Sequence, residues 1–123
     1  MKFAKYTFLI AGIYGLFALL PMYFLKDYVG RENPPAITHA EFYYGFVGVA
    51  LAWQFVFLII SRNPLKYRPL MLPSILEKVV WIIPVSILFL QNEASLSILG
   101  AGMADLVFGV LFVVSYLKTA GQE

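Results

Sequence analysis

Two stretches of twenty residues, Tyr6 to Leu25 and Phe42 to Ser61, carry no charged side chain. A helix of that length spans about 30 Å, the thickness of a bilayer's hydrocarbon core. Two further runs have nearly the same character. One extends from about Leu72 to Gln91, with Glu77 and Lys78 near its start and Pro84 in its middle. The other extends from about Leu96 to Leu117 and holds one charge, Asp105. Spans of about 4–25, 41–61, 72–91 and 96–117 leave little chain over. The expected fold is therefore all-α: a single transmembrane domain over 1–123, built as an integral membrane four-helix bundle.

Composition supports this reading. Hydrophobic residues are 61% of the chain and charged ones 13%, against roughly 45–50% and about 25% in soluble domains. A small domain leaves much of its surface exposed and could not hide this excess from water. Lys2 and Lys5 resemble the start of a signal peptide. The apolar run is longer than a usual signal core, however, and no small-residue cleavage site precedes Lys26, so a retained anchor is expected. The connector Lys26 to Ala40 is polar and broken by Asn33-Pro34-Pro35. Arg62 to Pro69 forms a short basic loop and Asn92 to Ser95 a tight turn.

Lysine and arginine set the orientation. Lys2, Lys5, Arg62, Lys66, Arg68 and Lys118 fall on one side, and only Lys26 and Arg31 on the other. Basic residues favour the cytoplasmic side, so both termini are expected there. The chain has no cysteine and one histidine. Disulfides, thiolate sites and thiol redox chemistry are excluded, and neither a metal nor a cofactor is expected. A net charge of +2 gives no reason to expect nucleic acid.

Several residues are candidates for a ligand site, each with a plainer explanation beside it. Thr38-His39-Ala40-Glu41 fits a capping box, with Thr38 capping the second span and Glu41 reaching back to a free amide. His39 and Glu41 would then lie at the outer rim. Ser74-Ile75-Leu76-Glu77 fits a second box, with Lys78 extending back to the cytoplasmic surface. Glu77 is otherwise a half-buried acid within reach of Gln54. Asp105 has no such explanation. Counted from the outer face it lies about 13 Å deep, where an aspartate costs on the order of 3 kcal/mol. With Lys78 judged too far toward the cytoplasm, Asp105 is expected to be protonated, hydrated, or bonded to Tyr14 or Gln54. Trp53 and Trp81 could line a pocket, although bulk packing explains them better.

Small residues set the packing. Ala11-Gly15, Gly48-Ala52 and Gly100-Ala104 permit close helix approach, and Ala101, Asp105 and Gly109 fall on one stripe. Pro84 frees the carbonyl of Val80 and is expected to kink its helix. Tyr23, Tyr28, Tyr43 and Tyr44 at one rim, with Tyr67 and Tyr116 at the other, read as interfacial anchors.

The segment His39 to Trp81, with Glu41-Phe42-Tyr43-Tyr44-Gly45, Trp53-Gln54 and Tyr67-Arg68-Pro69 through Glu77-Lys78, resembles small four-span proteins of bacterial membranes. The hydropathy plan is similar to DoxX-like proteins and, more distantly, to the sterol-isomerase and sigma-receptor type of bundle. That resemblance implies a bacterial inner membrane and, in the distant case, acids and a histidine around an intramembrane pocket. It carries no catalytic residue over to this chain.

No nucleophile, metal site or phosphate loop is recognisable. The expected function is a non-enzymatic bundle that packs on itself or on another membrane subunit and holds a lipid-like molecule near Asp105. A proton-coupled transporter or channel subunit working as an oligomer is one alternative. A membrane-embedded isomerase or lipid-modifying enzyme using Asp105 or Glu77 is another.

Overall fold

A computed structural model describes residues 2–121. Among them there is no strand, and five α-helices account for most of the chain. Helix α1 (Lys2–Leu19) runs on into a 3-10 turn, Leu20–Phe24. The tightening falls at Pro21, whose ring displaces the carbonyl four residues back and which offers no N–H. Helix α2 (Lys26–Glu32) is a short helix inside the connector read above as merely polar. It stops at Asn33, whose backbone and side-chain nitrogens both donate to Val29 O, just before the cis Pro34-Pro35 bond.

Helix α3 (Ala40–Arg62) ends before Asn63-Pro64. Helix α4 (Met71–Leu90) follows a 3-10 turn at Arg68–Leu70 and continues through Pro84. It closes on Asn92 in the left-handed region, φ 61°, with Glu93 N donating to Leu88 O and Asn92 N to Phe89 O. That pattern satisfies the orphan carbonyls of a helix end. Helix α5 (Leu96–Lys118) starts at Ser95, whose hydroxyl accepts from Ile98 N. A serine in this position is typically worth about 1 kcal/mol.

With their flanking turns, the four long helices are each 23 residues, long and apolar enough to cross a membrane. They alternate in direction, as contacts between their ends show. Tyr43 Oη donates to Met22 O at 2.7 Å, joining the start of α3 to the end of the first span. Lys118 lies 4.7 Å from the centre of the Phe3 ring, so both ends of the described chain meet. At the opposite end, Ser97 donates to Asn33 Oδ1 at 3.0 Å and Ser95 bonds the same oxygen, tying the connector to the α4–α5 turn.

Packing is uneven. Helices α1 and α3 form one close pair and α4 and α5 another, while α3 and α4 share only a thin seam. Gly12 explains the first pair. A Cβ there would lie 2.7 Å from Leu58 Cδ2 and 3.0 Å from Gln54 O, so only glycine admits the neighbouring backbone. In the second pair the fit is looser: a Cβ at Gly109 would meet Lys78 Cβ at 3.3 Å, and one at Gly102 would make ordinary contact with Val85 at 3.4 Å. The expected small-residue stripe shifts accordingly. Gly109 is buried, but Ala101 is exposed and Gly100 faces open space.

The aromatic core joins the two pairs in the half that holds the termini. Phe8 stacks on Phe112 at 4.2 Å, and Phe57 meets Phe112 edge-on at 4.9 Å. Ala4, Ala11, Ile60 and Met71 pack around them. In the other half, large apolar side chains face outward: Phe17 is 79% exposed, Phe24 89% and Leu90 80%.

Both expected capping boxes are absent. The residue before α3 is His39, with no side-chain cap bond, and Thr38 lies one residue outside. Ser74 lies three residues inside α4, where its hydroxyl donates to Leu70 O at 2.7 Å. The helix began earlier than expected because Arg68-Pro69 starts it: proline is favoured in a first turn.

Arg68 also closes the far end of α5. Its Nη2 donates to Tyr116 O at 2.9 Å and its Nε to Thr119 Oγ1 at 3.0 Å, with the guanidinium 3.7 Å from the Tyr116 ring centre. This fork holds one carbonyl and one hydroxyl at a helix C-terminus, where positive charge is favourable. Arg68→Ala should lower stability by about 1.5–3 kcal/mol, the usual scale for hydrogen bonds from a charged group. Thermal unfolding in detergent measures it. Arg68→Lys should recover less than half, since an ammonium cannot span both acceptors.

Candidate functional site

Glu77, Lys78 and Asp105 form one cluster midway along α4 and α5. Lys78 Nζ donates to Asp105 Oδ1 at 3.0 Å and lies 3.5 Å from Glu77 Oε2. The second distance is that of an ion pair without hydrogen-bond alignment. Glu77 Oε2 is buried and receives no hydrogen bond from any described residue. The lysine side chain is 6% exposed, Glu77 20% and Asp105 29%. The cation is thus enclosed while both acids remain reachable.

The surroundings follow from the helix faces. A Cβ at Gly109 would meet Lys78 Cβ at 3.3 Å, so the bare glycine lets the lysine stem lie flat across α5. Asp105, one turn earlier on α5, receives the ammonium. Phe57 from α3 lies 5.2 Å from Nζ to ring centre, within cation–π range. Trp81, one turn beyond Lys78, stacks on Phe46 of α3 at 5.3 Å. These two aromatic contacts bridge the thin α3–α4 seam.

Lys78 was expected to extend toward the terminal end, leaving Asp105 without a cation. The structure corrects both expectations. Counted from the shared end, Lys78 lies ten residues beyond Arg68 and Asp105 thirteen before Lys118. At 1.5 Å per residue these are depths of about 15 and 20 Å. A four-carbon stem bridges that difference but cannot return through 15 Å of apolar packing.

The other candidates lie elsewhere. Gln54 was expected to reach Glu77 or Asp105. It is buried and donates to Ala50 O at 2.8 Å, and its head fills the space left by Gly15. The glycine creates a slot on α1 that draws the amide away from α4. Tyr14 was expected to bond Asp105; it stacks on Phe108 at 5.3 Å instead. His39 and Glu41 contact each other at 3.3 Å on the exposed connector end, away from the cluster.

No group of three metal-ligating side chains occurs among the described residues. The buried hydroxyls of Ser61, Ser74, Ser115 and Thr119 donate to carbonyls three or four residues back. No family model, curated protein or solved structure matches the chain, so residue roles rest on its own geometry.

Two residues with well-defined contacts in the structure are not among those the sequence singles out as ligand-site candidates: Lys78 and Arg68. The signal for Lys78 was its depth from the same end as Asp105. The signal for Arg68 was a fork-shaped cation before a helix whose neighbour ends in Tyr116 and Thr119.

Proposed function

We propose that the chain is a multi-pass membrane protein of the bacterial inner membrane, with both termini cytoplasmic. In this reading it is a non-enzymatic interaction subunit that holds the polar end of a lipid-like ligand at Glu77, Lys78 and Asp105. Four helices of spanning length and the exposed apolar side chains support insertion. The six-to-two bias of basic residues supports the orientation.

One observation carries the ligand reading. A carboxylate oxygen at Glu77 is buried without a donor, in a cluster with two acids and one cation. An acceptor in that position costs free energy until something donates to it. A ligand whose apolar body lies among the helices and whose polar end carries an O–H or N–H would satisfy it. Ionisable groups inside a membrane bundle generally mark ligand or proton sites.

Protein purified in mild detergent should release a co-purified lipid-like molecule on solvent extraction. Glu77→Leu should reduce retained ligand about tenfold or more, the usual effect of losing one hydrogen bond to a charged group. Asp105→Asn should reduce it less and leave Lys78 in place. Absence of any ligand in wild type, or equal retention in all three proteins, would overturn the reading.

The spare negative charge of the cluster favours a second reading, a proton-coupled subunit working as an oligomer. Two carboxylates around one ammonium can accept and release a proton while the pair persists. A stable monomer by mass measurement in native membranes would rule against it, since four spans enclose little pathway alone.

A further inference from the structure

A second feature lies away from the charged cluster, at the end where the described termini meet. Between α1 and α5 runs a groove of about 520 Å³, walled by Phe3, Tyr6, Ile10, Phe108 and Leu111, with Lys2 at its mouth. Its volume is within the usual range for small-ligand sites. The Phe8–Phe112 stack joins the same two helices. The groove follows α1 inward from Lys2 to Ile10, about 12 Å at 1.5 Å per residue.

Charge is confined to the mouth. Lys2 lines it and Lys118 crosses the Phe3 ring at 4.7 Å. Arg62, Lys66 and Arg68 belong to the same end. Among the described residues, every acid apart from Glu77 and Asp105 (Asp27, Glu32, Glu41 and Glu93) falls at the other end or on its rim.

We infer that this groove is a binding site for one anionic phospholipid of the bilayer, its phosphate between Lys2 and Lys118 and an acyl chain along Ile10 and Phe108. The inference rests on the membrane reading above but not on the Glu77 ligand. An apolar slot perpendicular to the membrane face, with ammonium groups only at its opening, matches a chain below an anionic headgroup. A second copy of this chain fits poorly. A symmetric partner would bring Lys2, Lys5 and Lys118 against themselves, and like charges facing each other disfavour association.

The test uses the full chain in vesicles and nanodiscs of phosphatidylcholine with phosphatidylglycerol. Binding is read by native mass spectrometry as lipid is stripped. Wild type should retain one phosphatidylglycerol under conditions that remove phosphatidylcholine. Each basic residue at an anionic surface contributes roughly fivefold, so Lys2→Gln with Lys118→Gln should weaken retention about thirtyfold. Lys5→Gln with Lys66→Gln changes net charge equally but lies off the groove, and should weaken it far less. Ile10→Trp should fill the slot and displace the lipid with the lysines intact. Equal loss in both lysine pairs, equal retention of the two lipids, or a dimer that excludes lipid would each overturn the site. Carbonate washing separates this from failure of the membrane reading: a protein that leaves the vesicles is not inserted at all.

Discussion

Replacing Lys78 by leucine should destabilise the protein by about 3–5 kcal/mol, the usual cost of removing one partner from a buried ion pair. Most of that is the penalty on what remains. Asp105 and Glu77 would confront each other in apolar surroundings with no cation between them. The double variant Lys78→Leu, Asp105→Leu should regain most of the loss, because well-packed apolar groups often replace an ion pair at little net cost. Thermal unfolding of wild type, both single variants and the double variant gives the coupling energy directly. Additive effects of the two substitutions would mean that the 3.0 Å contact carries no energy.

The second large effect is expected at Phe57, which is fully buried and touches both centres of the molecule. Its ring packs on Phe8, Trp53 and Phe112 and lies 5.2 Å from the Lys78 ammonium. Phe57→Ala should cost about 3 kcal/mol, the lower end of what such truncations cost in soluble cores. The lower end applies if the helices lie in a bilayer as we propose, because lipid is itself apolar. Only packing and the cavity count, since there is little transfer of the ring out of water. Phe17→Ala, at a position 79% exposed, should change stability by less than about 0.5 kcal/mol. Unfolding in detergent measures both, and similar losses at the two positions would contradict the uneven core.

The four long helices were legible because charge-free runs of spanning length have few other ways to fold. The Asn92–Ser95 turn was legible for a related reason: asparagine tolerates the left-handed region and serine caps helices. Short-range motif reading did worse. Two four-residue matches to a capping box were both outcompeted, at Ser74 by an earlier helix start on Arg68-Pro69 and at Thr38 by a later one. Helix α2 lay hidden in a polar connector because seven residues carry too little periodicity to announce a helix. Asp105 was recognised as the residue needing explanation, but its partner was not. The match in depth between Lys78 and Asp105 shows only when both are measured from the terminal end, and Gly109 is what lets the lysine stem lie inward across α5. Gln54 was misplaced because nothing in a linear reading shows that Gly15 leaves room for its amide.

The pairing of Lys78 with Asp105 also constrains how such a protein is made. The lysine leaves the ribosome 27 residues before its aspartate. A lone lysine deep in a helix costs about 2.5–3.5 kcal/mol to insert. If the chain enters a bilayer as we propose, α4 alone is a poor passenger, and its entry gains from waiting for α5. The last two helices would then be released from the insertion machinery together, already paired, onto a first hairpin whose Phe8 and Phe57 faces are still bare.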